Sequence, residues 1–177
     1  MQKEFSYPLK IDELGQGTQN YKISADKAEL EDLAEILQVP AVNSFEADIK
    51  LNFQKKKGEL KVSGTVKANL GLESVISLTS FNKDYSTSFE VMYDTNATYD
   101  DVYSEDEDIN IDVPDIVLDG KIDLADIAIE QLALVMEDYP RLDGENFEEV
   151  IEEDDENENI ANNPFAVLKK LKENMEE

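Results

Sequence analysis

Phe45-Glu-Ala-Asp-Ile-Lys-Leu-Asn-Phe53, followed by Gln54-Lys-Lys-Lys-Gly58 and then by Leu60-Lys-Val-Ser-Gly-Thr-Val-Lys-Ala-Asn-Leu70, is the stretch on which the fold turns. Phe45, Ala47, Ile49, Leu51 and Phe53 alternate with polar residues, the period of a strand with one buried face. Leu60, Val62, Val66, Ala68 and Leu70 alternate again beyond a lysine-rich turn, so the two runs predict an antiparallel hairpin. Further on, the spacing predicts a third strand over Val75 to Phe81, with Gly71 as a bend before it. A turn at Asn82-Lys-Asp84 and a fourth strand alternating Tyr85, Thr87, Phe89, Val91 and Tyr93 follow. Four strands joined by short turns make an antiparallel meander, whose apolar face needs a cover.

Helices on either side supply that cover. Ser24 reads as an N-cap, and Leu30, Leu33, Ala34 and Leu37 recur at helical spacing, predicting a helix over about 25–38 that Pro40 stops. Ile116 to Ile122 reads as a short strand with a turn in it, and Asp123 as the next N-cap. Leu124, Ile127, Ala128, Leu132 and Val135 then form an apolar stripe, widened by Ile129, Leu134 and Met136, in a helix over 124–137 ended by Pro140. A last helix begins at Asn163, with Pro164 in its first position. The class is α+β: an antiparallel sheet of roughly four to six strands, open or curled toward a barrel, covered by two helices. Pairing of the sheet with a second copy is the alternative. Residues 1–144 form the α+β domain, 145–162 an acidic linker and 163–177 a C-terminal helix.

The 177 residues carry 16 Lys and Arg against 42 Asp and Glu, a formal net charge of −26, with no His, Cys or Trp. Without imidazole or thiol there is no His-based triad, thiolate nucleophile, disulfide or zinc–thiolate site to build. Residues 1–93 hold 11 basic and 14 acidic side chains, whereas 94–177 hold 5 and 28, so the acidity belongs to the second half. It concentrates in Asp94 to Asp119 and in Glu145 to Glu158, where dense like charge favours solvated chain over a packed core. That charge argues against binding to DNA, which needs Lys and Arg at the contact. The start of the chain has no apolar leader, and the longest uncharged apolar run, Gln131 to Met136, is far short of a membrane span. The expectation is a cytoplasmic protein that does not engage membranes. Asn96-Ala-Thr98 is then a chance glycosylation triplet.

Candidate motifs fare differently. Gly15-Gln-Gly17 is a turn, lacking the third glycine and the βαβ context of a dinucleotide loop. Asp106-x-Asp108-x-Asn110-x-Asp112 starts like a calcium loop but has Ile111 where glycine is needed and Val117 where the closing glutamate belongs. No metal, no cofactor and no catalytic constellation are therefore expected, and the chain reads as a non-enzyme. Two surfaces read as binding candidates. One is Lys55, Lys56 and Lys57 at the hairpin tip, with Lys61 and Lys67 sharing the strand parity opposite Leu60, Val62 and Val66. It is either an RNA-facing patch or a merely solvated face. The other is Tyr139-Pro140-Arg141, where the lone arginine is either a structural ion pair or a contact to a phosphate or partner carboxylate.

Asp119-Gly-Lys-Ile-Asp-Leu-Ala-Asp-Ile-Ala-Ile-Glu-Gln-Leu-Ala-Leu134, followed by Asp138-Tyr-Pro-Arg141, resembles the signature of the YceD family (DUF177) in its alphaproteobacterial form. Asn163-Pro-Phe-Ala-Val-Leu-Lys-Lys-Leu171 is similar to that family's closing helix. The resemblance implies a role in accumulation of large-subunit (23S) ribosomal RNA, hence ribosome assembly. Many relatives carry cysteines spaced Cys-x-x-Cys after the glycine-containing strand. Here Ser74-Val-Ile-Ser77 stands in that place, and serine hydroxyls are poor zinc ligands. The expected partner is the precursor large subunit, met as 23S rRNA or as a basic ribosomal protein. The competing expectation is an acidic adaptor for a basic protein unrelated to ribosomes. Pro164, Phe165, Leu168, Leu171 and Met175 join Tyr139, Pro140 and Arg141 as expected protein-binding residues, because an apolar helical stripe beyond an acidic strap suits groove docking.

Overall fold

The computed structural model describes residues 5–97 and 114–145. Three long strands dominate: β3 (Ala41–Gln54), β4 (Glu59–Glu73) and β5 (Ser80–Asp94). They form an antiparallel meander with Ile49 opposite Gly64 and Gly64 opposite Phe89. β2 (Gly17–Ser24) pairs antiparallel with β3 on one side, and the two-residue β6 (Asp115–Ile116) pairs parallel with β5 on the other. β1 (Pro8–Lys10) and β7 (Lys121–Asp123) make a separate antiparallel pair. The main sheet has the order β2-β3-β4-β5-β6 and is open. The barrel is therefore ruled out: β2 and β6 end the sheet without meeting, and the parallel β6 makes the sheet mixed rather than purely antiparallel.

Alternation decides the core. Leu60, Val62, Val66, Ala68, Leu70 and Leu72 of β4 are buried on one face, with Phe45, Ala47, Ile49, Leu51 and Phe53 of β3 beside them. α1 (Lys27–Leu37) packs against β3 and inserts Leu33. α2 (Leu124–Ala133) lies on β4 and β5 and buries Leu124, Ile127, Ala128, Ile129 and Leu132. Phe5 meets Phe45 edge-on, with ring centroids 5.4 Å apart.

Several expectations need correction. The cap of α1 is Asp26, not Ser24. Its carboxylate accepts the N–H groups of Ala28 and Glu29, and Glu29 reciprocates by accepting the Asp26 N–H at 2.7 Å, a closed capping box. Ser24 is the last residue of β2, an edge strand whose weak apolar pattern hid it. Of the strand expected over Val75 to Phe81, only Ser80 and Phe81 are strand, as the start of β5. β4 runs on through Gly71 to Glu73, and residues 74–79 form the tight turn into β5. Asn82-Lys-Asp84 is strand rather than turn. Lys83 occupies an inward position at the sheet's end, where it pairs with Glu137 at 2.6 Å and lies over the Tyr85 ring, so a lysine breaks the apolar alternation without breaking the strand. α2 ends at Ala133, well before Pro140, in single-turn bonds from Val135 to Leu132 and from Met136 to Ala133. Val135, expected in the stripe, and Leu134, expected to widen it, then stand exposed. Asp123 caps α2 as expected, and its carboxylate also accepts the Ser6 hydroxyl and the Tyr7 N–H, tying the first residues of the described chain to the helix start. The acidic linker and the helix over 163–177 lie outside the described residues, as does the core of the Asp94–Asp119 stretch.

Gly64 is the point where the sheet tolerates no side chain. A Cβ there would come within 2.5 Å of the Asp48 carbonyl oxygen and 3.1 Å of the Phe89 ring. Gly64→Ala is expected to cost about 1–3 kcal/mol by urea unfolding, despite alanine's better fit to strands, because the overlap is with backbone. Tyr93 provides a pH test. Burial pushes its hydroxyl up to about 12, with the Asp115 and Glu130 carboxylates adding to the shift. The folded state thus favours the neutral phenol, and that contribution is whole below the ordinary value of about 10. It is lost as pH rises through the folded value of about 12. Tyr93→Phe should flatten this alkaline loss of stability and remove a phenolate that appears near pH 12 in an ultraviolet titration.

Candidate RNA-facing and protein-docking surfaces

The two hairpins at opposite ends of β4 build the two candidate surfaces. At one end, Gly58 N–H returns to the Gln54 carbonyl at 3.1 Å, closing a loop of Lys55, Lys56, Lys57 and Gly58. Gly58 takes a left-handed φ of +75°, which glycine adopts without cost. The loop is braced from outside. Thr95 N–H and Oγ1 both donate to the Gly58 carbonyl, and Asn96 Nδ2 donates to that of Lys57. The chain after β5 is held in turn by Asp94, which accepts the N–H groups of Asn96 and Ala97. All three lysines are exposed on a fixed support.

The solvent face of the sheet continues from this tip. Lys61 and Lys67 do point away from the core, but Lys61 is bound to Glu90 at 2.6 Å and so contributes little charge. Lys22 and Lys50 take its place. Together with Lys55, Lys56 and Lys67 they make no ion pair among the described residues, although the chain as a whole is strongly acidic. A shallow open depression of about 580 Å³ is lined by Lys22 and Lys50 with Asn20, Asp48, Ser63 and Thr65, and by Tyr21, Ile49, Gly64 and Phe89 of the opposite parity. Sequence reasoning missed Lys22 because β2 was not recognised. Lys50 was within reach, since it has the outward parity of β3.

At the other end of β4, Ser74 N–H bonds the Thr79 carbonyl, and Leu78 N–H bonds that of Ser74 at 2.9 Å. The loop after α2 closes onto this turn. Val75 N–H donates to the Pro140 carbonyl at 2.9 Å, and the buried Ser74 hydroxyl donates to Glu145. Ser74 Oγ also accepts the N–H groups of Ile76 and Ser77, while Glu145 accepts the Leu142 N–H at 3.1 Å. Pro140 thus serves through its backbone, holding Tyr139 and Arg141 outward. Tyr139 is 74% exposed, and Arg141 is exposed with no ion pair among the described residues, so the structural ion pair expected as one reading is not formed there. Pro164, Phe165, Leu168, Leu171 and Met175 lie outside the described residues. Ser74 and Ser77, singled out as replacing cysteines, act as hydrogen-bonding partners of a carboxylate. No group of three or more metal-ligating side chains gathers among the described residues, and no helix among them is long and apolar enough to cross a membrane.

A long three-strand meander, covered by a helix that opens on an Asp N-cap and leads into an anchored Tyr-Pro-Arg loop, defines an α+β class. The chain belongs to the YceD family, described as large ribosomal RNA subunit accumulation protein YceD, whose model matches residues 62–172. No curated protein and no solved structure matches the chain.

The Glu145 tie should respond to acid. The Ser74 hydroxyl, then that of Ser77, hold its carboxyl below the ordinary glutamate range, with the Leu142 N–H adding to them. A depressed folded value means the tie's stabilisation is present above the ordinary glutamate value of about 4.3 and is lost as pH falls through the folded one. Relative to their intrinsic rates, the Val75 and Leu142 amides are expected to exchange slowly at neutral pH and fast in strong acid. Glu145→Ala should show the fast exchange already at neutral pH, and slow exchange in that variant would contradict the tie.

Proposed function

We propose that this chain is a cytoplasmic, non-enzymatic assembly factor that promotes accumulation of 23S ribosomal RNA by contact with the precursor large subunit. Membership of a family named for large-subunit RNA accumulation carries this reading. Supporting it, five lysines that make no ion pair among the described residues share one sheet face and its hairpin tip in a protein of net charge −26. Unpaired lysines on a rigid support suit phosphate, because each contact releases condensed counterions. The polar residues between them, Asn20, Ser63 and Thr65, offer donors and acceptors to sugar and base edges without adding charge. Arg141 has the forked donors to bind a phosphate or a partner carboxylate at the other end. The acidic second half suits a different kind of ligand, a basic protein.

Depletion of the protein is expected to lower 23S relative to 16S ribosomal RNA and to deplete mature large subunits. Unchanged ratios with normal subunit profiles would overturn the reading and favour the acidic adaptor. For the RNA contact itself, Lys55/Lys56/Lys57→Gln should reduce the slope of log affinity against log salt by about 2 for a 23S fragment, since each lost phosphate contact removes roughly 0.7. An unchanged slope would remove the hairpin from the contact.

A further inference from the structure

The two turns that bound β4 share one closure and differ in the residue type at its fourth position. In each, four loop residues are closed by an N–H of the fourth onto the carbonyl preceding the first: Gly58 to Gln54, and Leu78 to Ser74. In each, that fourth residue has a left-handed φ, +75° at Gly58 and +58° at Leu78. Glycine occupies the position at no steric cost, whereas a leucine there is strained by its Cβ. The strain serves no packing purpose, because the Leu78 side chain is 69% exposed. A strained backbone carrying a large apolar side chain into solvent is the kind of outlier that points to use rather than to stability.

Leu78 is not isolated. Five of the eight large apolar side chains exposed among the described residues lie on this turn and on the loop bonded to it: Val75, Leu78, Leu134, Val135 and Tyr139. Bonds from Val75 to Pro140, from Ser74 to Glu145 and from Lys83 to Glu137 hold the two segments together, so the surface is preformed and little ordering is needed to bind it. The surrounding charge is acidic. Glu73, Asp138 and Asp143 are exposed and make no ion pair among the described residues, Lys83 is already spent on Glu137, and Arg141 is the one exposed cation of the loop, so the balance is negative.

We propose that the turn at 74–79 and the loop at 134–145 form a docking surface for a basic amphipathic segment of a protein partner, with Leu78 and Tyr139 as apolar anchors and the carboxylates as its charged rim. The charge selects the occupant. An RNA backbone would meet unpaired carboxylates, and a second copy would set this acidic rim against itself. A segment with apolar residues at i, i+3, i+4 and i+7 and lysines between them satisfies both parts of the surface. This rests on the assembly-factor reading and deepens it by naming the class of protein met.

The test uses the full chain and two labelled peptides of equal charge at physiological salt, one with leucines at helical spacing among lysines, the other with serines in their place. The leucine peptide should bind at least about tenfold more tightly than the serine peptide, as expected where buried apolar anchors carry the affinity. Leu78→Gly should weaken it by about tenfold while the thermal midpoint holds or rises, because glycine relieves the left-handed backbone. Tyr139→Ser should weaken it with an unchanged midpoint. Equal binding of the two peptides would reduce the effect to bulk charge and overturn the proposal. So would parental binding by both variants, loss of 23S-fragment affinity in them, or a dimer of the full chain that Leu78→Gly dissolves. None of these outcomes depends on the ratio of 23S to 16S ribosomal RNA, so failure here leaves the assembly reading standing, and the reverse.

Discussion

Side chains along β3, β4 and β5 alternate between two faces, and this alternation governs the rest of the molecule. Once Leu60, Val62, Val66, Ala68, Leu70 and Leu72 are buried, the residues between them on β4 must face water, and the register carries the same division onto β3 and β5. A slip of one residue would bury Lys61 and Lys67 and expose six apolar side chains. The apolar face then demands a cover, which α2 supplies with a helix buried along most of its length. The other face is left open and polar, and it is there that lysines without ion pairs among the described residues collect.

The connection from sheet to cover is made by one carboxylate. Asp123 caps α2, accepts the Tyr7 N–H at 2.8 Å and binds the Ser6 hydroxyl, while Leu124 N–H reaches back to the Tyr7 carbonyl. The string around it is thus structural in its first half, where Ile122, Leu124, Ile127, Ala128 and Leu132 are core. It is surface in its second half, where Tyr139 and Arg141 stand outward on a loop anchored through Pro140 and Glu145. One signature therefore spans core and surface, and its residue types change from apolar to aromatic and charged at the end of α2.

Local patterns carried much of this in the sequence. The hairpin at 54–59 was legible from its alternation and its glycine, the start of α2 from Asp123, and the α+β class from the meander with its amphipathic helices. What failed was decided by tertiary contacts. Lys83 looked like turn because its inward position is made tolerable only by Glu137, which lies 54 residues on. β2 was missed because an edge strand with only Tyr21 and Ile23 facing inward has little alternation to show. A barrel could not be told from an open sheet, since closure depends on whether β2 and β6 meet. Of the candidate sites, the lysine tip was readable directly. The exposure of Leu78 and Leu134 was not, because hydrophobicity alone predicts burial.

On the two proposals taken together, the two ends of β4 serve two ligands, RNA on the lysine-bearing sheet face and protein on the apolar, acid-rimmed end. Cross-linking of the full chain within precursor large subunits, with sites mapped by mass spectrometry, tests it directly. RNA adducts are expected at Lys22, Lys50, Lys55, Lys56 and Lys67, and protein adducts on the 74–79 turn and the 134–145 loop. RNA adducts confined to the loop, or protein adducts confined to the sheet face, would contradict it.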